Sequence, residues 1–117
     1  MKNVFILPRV YKDESKQLRY SIEKNWIKFF DKKKINIIPF ISNNRKIENI
    51  FKICKPHALV ISGGNDIFSK SYEDVYRYKN NIEILKYFLK KKKPILAVCY
   101  GFQMITRMKG GKIFKSK

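Results

Sequence analysis

Four stretches of about five residues are apolar almost throughout: "NVFIL" (3–7), "INIIPF" (35–40), "HALVIS" (57–62) and "PILAV" (94–98). Each is too short for a helix and lacks polar alternation, the pattern of a strand buried on both faces. Between them the period changes. Leu18, Ile22, Trp26, Phe29 and Phe30 recur at three- and four-residue spacing and predict a helix over 15–33. Ile47, Ile50, Phe51 and Cys54 share a second helical face, with Asn43 or Asn44 as its cap. Ile82, Leu85, Phe88 and Leu89 mark a third helix, and residues 100–108 a fourth. "GGKIF" (110–114) is a candidate fifth strand. Buried strands alternating with helices require a parallel sheet covered on both sides, an open doubly wound α/β fold. Ligands of such folds gather beyond the carboxyl ends of the strands. That directs attention to Pro8 and Arg9, to residues 62–66, and to Cys99.

Length and composition narrow the field further. The 117 residues make one domain or part of one, and 44% hydrophobic content supports a real core. No apolar run reaches the ~18–20 residues of a membrane helix. The opening "MKNVFILPRV" has too short an apolar run for a secretion signal, so a cytoplasmic location is expected. Two cysteines and a single histidine give neither a disulfide framework nor a metal-ligand cluster, so no metal and no cofactor are expected.

The net charge of +18 is the most conspicuous number. Clustered lysines neutralise phosphates, so nucleic-acid binding has to be weighed. These lysines are scattered, however, with runs only at 32–34 and 90–93, each after a helix, where cations complement the macrodipole. Abundant Ile, Asn, Phe and Tyr beside Lys point to an A/T-rich coding bias. A solvated basic surface is the simpler account, and nucleic acid is not the expected partner.

Chemistry concentrates in "PILAVCYGFQMI" (94–105). Cys99 falls between strand and helix, where unpaired helix N–H groups favour a thiolate. A sharp turn there lifts the side chain above the sheet, as in a nucleophile elbow, and small Ala97 and Gly101 let strand and helix approach. The Tyr100 N–H would face an oxyanion formed on a carbonyl attacked by the thiol. A second donor must come from a neighbouring strand end, and Gly63-Gly64 closes the third strand. The competing readings are ordinary ones: a core cysteine at 99 and a plain turn at 63–64.

"PILAVCYGFQ" resembles the nucleophile segment of class I glutamine amidotransferases, P-[IV]-L-G-[IV]-C-x-G-x-Q. "ALVISGGND" resembles their glycine-rich segment, 35 residues before the cysteine as measured from Gly64. The G-G-x-D form is more similar to the γ-glutamyl hydrolase branch, whose members act on γ-glutamyl-γ-aminobutyrate and other γ-glutamyl amides. The resemblance implies a flavodoxin-like three-layer sandwich with a mainly parallel sheet. It implies that residues 1–117 are the N-terminal portion of one such domain, without its last strands. It also implies that Cys99 attacks a γ-carboxamide to give a γ-glutamyl thioester. Gly64 and Tyr100 would supply the oxyanion hole, with Gly63 shaping it. Gln103 and Asp66 would hold substrate, although Asp66 reads equally well as a cap of the next segment.

This chain departs from the pattern in three places. Ala97 replaces a glycine, Tyr100 stands where the hydrolase branch often has arginine, and no His-x-Glu element follows Cys99 in the remaining 18 residues. His57 opens the third strand at its far end, roughly 15 Å of strand from where Cys99 emerges. It is expected to be structural. The expected function is therefore Cys-dependent hydrolysis of glutamine or a γ-glutamyl amide, with a synthase or a complementing chain as possible partner. The alternative is a non-catalytic remnant, or a subunit needing a second chain for its histidine and glutamate.

Overall fold

The structure is a computed structural model describing residues 2–41 and 47–115. Four parallel strands form the sheet: β1 (Lys2–Leu7), β4 (Ile35–Pro39), β5 (Ala58–Ile61) and β6 (Ile95–Ala97), in the order β4-β1-β5-β6. Taken as the first, second, third and fourth strands of the sheet, they lie in the order 2-1-3-4, the arrangement of flavodoxin-like α/β folds. The four apolar stretches are thus the four sheet strands. Residues 111–115 carry no strand, so "GGKIF" is corrected to irregular chain. The proposed caps Asn43 and Asn44 lie outside the described residues.

Alternation along β1 distributes side chains to two layers. Val4 and Ile6, with Val60 of β5, meet Phe30 of α1 (Lys24–Lys32). Phe5 and Leu7, with Leu59 and Ile61, face the opposite layer. That layer holds α2 (Ile47–Cys54), α3 (Tyr72–Lys90) and α4 (Tyr100–Met108). Phe5 is its hub. Its ring stacks on Phe40 at 5.1 Å and meets Phe51 and Phe88 edge-on at 5.8 and 6.2 Å. Such pairs add to the burial of the rings themselves.

The largest correction concerns residues 9–21. The helix expected from residue 15 begins only at Lys24. Before it, β2 (Arg9–Lys12) and β3 (Leu18–Ser21) pair as an antiparallel hairpin. Leu18 and Ile22 fit a helical spacing by coincidence. Locally, Asp13 accepts from the Gln17 N–H and pairs with Arg19 at 2.8 Å, while Lys16 turns through φ 62°. The larger force is tertiary: Asn65 brackets Val10, accepting from its N–H and donating to its carbonyl. No local pattern announces that pairing. Helix α3 also starts earlier than its apolar residues suggested, at an Ser71 cap whose hydroxyl accepts from the Asp74 N–H.

The lysine runs sit where the helices end, and two of them do more than complement the dipole. Lys34 after α1 and Lys92 after α3 occupy left-handed conformations, φ 55° each. Gly110 takes the equivalent position after α4 at φ 83°. After α3 the Lys93 N–H donates to the Phe88 carbonyl and the Lys92 N–H to that of Leu89, a Schellman ending. A Cβ in that conformation is strained, so replacing Lys92 by glycine should stabilise the protein by about 0.5–1 kcal/mol. Glycine at Lys79, within α3, should instead cost about 1 kcal/mol. Urea unfolding of the two variants against the parent measures both.

Candidate active site

The chain leaves β6 through Val98 and enters α4 at Tyr100, so the whole reversal falls on Cys99. Its backbone sits at φ 49°, ψ −105°, outside the regions a side-chain-bearing residue ordinarily adopts. The reason lies one residue further on. Gly101 packs so closely on β5 that a Cβ there would be 2.7 Å from the Cβ, Cγ2 and carbonyl oxygen of Ile61. Helix α4 therefore starts directly over β5, and the turn from β6 cannot be spread over more residues. Cys99 is exposed, whereas Cys54 is half-buried on α2.

Gly63 and Gly64, beyond the end of β5, lie beside this turn. A Cβ on Gly63 would stand 3.3 Å from Cys99 Cβ and 3.8 Å from its Sγ. Gly64 has φ 104°, a conformation that favours glycine. The thiol, both glycines and Val98 share a hollow of about 510 Å³ with Leu96 and with Glu23, Asn25, Trp26 and Phe29 at the start of α1. Its walls are mostly apolar, with Glu23 and Asn25 among the lining polar side chains. The hollow exists because α1 covers β4, β1 and β5 but stops short of β6. Leu96, in register with Val60, remains 48% exposed.

The remaining sequence candidates fall in three places. Tyr100 follows Cys99 at the first turn of α4, where amides lack helical partners. Its side chain turns inward, is 1% exposed, and burial pushes its hydroxyl up to about 12. Gln103 is one turn on, with its N–H donating to the Cys99 carbonyl; it does not line the hollow. Asp66 faces a different depression, shared with Arg9–Lys12 and Asp74. There its carboxylate accepts from the Phe68 N–H, the capping arrangement of the simpler reading. His57 is at the amino end of the sheet, exchanging hydrogen bonds with the Asn3 backbone, opposite the end from which Cys99 emerges.

Sequence reasoning missed the groups that hold the glycine loop. Asp74 accepts from Asn65 and from the Asp66 N–H, and receives the Ser71 hydroxyl. Partial burial works against its carboxylate, but these hydrogen bonds outweigh it and hold the group below its ordinary value. Arg77, on α3, is fully buried beneath the loop. It shares the inward stripe with Asn81, Ile84, Leu85 and Phe88, so a charge on an apolar face was the available signal. Among the described residues, no group of three or more His, Cys, Asp or Glu is placed to bind a metal, and no helix is long and apolar enough to cross a membrane.

A sharply turned cysteine between strand and helix, opposed by a glycine pair, lies at the carboxyl end of a parallel α/β sheet, where ligands of such folds gather. A family model for glutamine amidotransferase class-I matches residues 10–117, and the chain belongs to that family. Searches of curated proteins and of solved structures gave no match.

Two outcomes follow from the geometry. Gly101→Ala must displace backbone as well as side chain and should cost about 1–3 kcal/mol in denaturant unfolding. Gly64→Ala meets the Arg9 side chain and takes on backbone strain at φ 104°, so it should cost about 1–3 kcal/mol. For Asp74 the sign is set by its lowered folded pKa. Its contribution is present above the ordinary carboxylate range near ~4 and is lost as pH falls through the folded value. Asp74→Asn should therefore be less stable than the parent at pH 7, with the gap closing in thermal melts below about pH 4.

Proposed function

We propose that the chain uses Cys99 to cleave the γ-carboxamide of glutamine or of a γ-glutamyl amide. The observation that carries this reading is the exposed thiol held at φ 49° across from Gly63-Gly64. The Cys99 sulfur forms a bond to the γ-carbonyl carbon, and the carbonyl oxygen becomes an oxyanion in reach of the Gly64 and Tyr100 amides. Collapse breaks the C–N bond, and the departing nitrogen leaves as ammonia or an amine after taking up a proton. Water then cleaves the thioester, releasing the γ-carboxylate and restoring the thiol. The G-G-x-D segment supports the γ-glutamyl hydrolase branch. Gln103 and Asp66 are proposed contacts to the glutamyl portion, which would have to reach past the mouth of the hollow.

General base catalysis typically contributes ~10²–10⁴-fold, and His57 is at the wrong end of the sheet to supply it. That observation favours a second reading, in which a histidine from outside residues 1–117, such as one on another chain, completes the site. Under it, the purified chain turns over glutamine only when the histidine-bearing segment or chain is added. Under the first, slow turnover belongs to the chain alone.

The nucleophile itself is tested without turnover. A glutamine analogue carrying a diazoketone in place of the carboxamide should alkylate Cys99, with loss of dinitrogen, at least about tenfold faster than Cys54. Mass-spectrometric mapping reads the site. Cys54→Ser should label as the parent does, and Cys99→Ser should not label. Equal labelling of both cysteines in the folded protein would exclude a glutamine-directed site.

A further inference from the structure

We propose that Arg77 is a positioning residue for this site, holding both proposed oxyanion donors from the opposite layer of the fold; this rests on the reading of Cys99 as nucleophile. A buried cation without a carboxylate in contact is an expensive thing to keep, and an apolar residue of similar size would fill the same space. Arg77 is 0% exposed, and among the described residues the only ion pair is Arg19 with Asp13. Its guanidinium instead bonds to the ends of two strands and to the glycine loop. Nη2 donates to the carbonyls of Leu7 and Ser62 and to the Ser62 hydroxyl. Nη1 donates to the Gly63 carbonyl at 3.0 Å and to Asn65 Oδ1 at 2.9 Å. Burial pulls its pKa down only to about 10, so it is a cation at neutral pH.

The bond to Gly63 is the informative one. The Gly63 carbonyl and the Gly64 N–H belong to one planar trans peptide, so they point in opposite directions. With the oxygen drawn to Arg77 on the α3 side, the N–H is aimed towards the α1 side, where the hollow beside Cys99 opens. A cation at the oxygen also polarises the amide and makes its N–H a stronger donor. The second donor is held by the same group. The guanidinium carbon lies 4.7 Å from the centre of the Tyr100 ring, a cation–π contact that ties down the residue whose N–H follows the thiol. One side chain thereby sets the relative placement of two amides separated by 36 residues of sequence.

The test compares two reagents on Cys99. Iodoacetamide alkylates an accessible thiol without placing a carbonyl oxygen at the amides, whereas the diazoketone glutamine analogue does place one there. Arg77→Met should lower the diazoketone rate by at least about tenfold, as loss of an aligned donor does, while the iodoacetamide rate changes less than about threefold. Arg77→Lys, which keeps charge and most of the volume, should recover part of the loss; where the methionine variant does not fold, the lysine variant against the parent makes the same comparison. A ratio of the two rates equal to the parent's in the folded methionine variant, or in the lysine variant where the methionine variant does not fold, overturns the role of Arg77 and leaves Cys99 as nucleophile. A parent protein showing no preference for the diazoketone at Cys99 over Cys54 overturns the underlying reading, and this inference with it.

Discussion

Helix α4 begins in contact with strand β5, with no room at Gly101 for more than a hydrogen atom. Much of the site follows from that approach. Strand β6 must deliver the chain to a helix starting over its neighbour, so the reversal is compressed into Cys99 and its backbone leaves the ordinary regions. The strain is stored where the chemistry is proposed to occur, and the surrounding core supports it. Tyr100 and Met104, both buried, anchor the first turns of α4 in the same aromatic and aliphatic cluster that includes Phe5, Leu59 and Ile61. The turn at Cys99 is thus tied to the core beneath it, while Cys99 itself is exposed.

The two faces of the sheet are unequally covered, and the difference shapes the surroundings of the thiol. Among the described residues, three helices pack on the side of Phe5 and Leu7, and one on the side of Val4 and Ile6. Over β6 that second side has no helix among the described residues. An apolar trough results, floored by Leu96 and Val98 and walled by Trp26 and Phe29. The thiol opens towards this trough, whereas the polar supports of the glycine loop (Asn65, Asp74 and Arg77) lie behind it. A hydrophobic front and a hydrogen-bonded back let the loop keep its backbone amides fixed without filling the space before them.

Several elements were legible because their signal is local. Each of the four strands is a short apolar stretch whose neighbours cannot continue it, and their apolar residues in succession announced a parallel sheet. That Cys99 falls at a strand-to-helix turn and Gly63-Gly64 just past a strand end was legible from their positions beside the apolar stretches. The hairpin of residues 9–21 was not legible, because Leu18 and Ile22 imitate a helical period and the decisive contact, Asn65 on Val10, spans 55 residues. Asp66 illustrates the same limit in reverse. Its place after the glycines suggested a substrate contact or a cap, and only the fold shows its carboxylate accepting from the Phe68 N–H on the hairpin side.

Sequence by itself therefore determined the layered α/β class, the four stretches that form the described sheet and the junction at which the thiol stands. Those features depend on hydrophobic period and on backbone permissiveness, which are properties of neighbouring residues. Tertiary structure decided which groups meet around that thiol. Arg77 reads as one more cation among 27 basic residues until the ends of β1 and β5 and the Gly63 peptide are seen to converge on it. The physical reason is burial: hydrogen bonds to a desolvated cation gain their strength from the absence of water, and only the packed fold removes it.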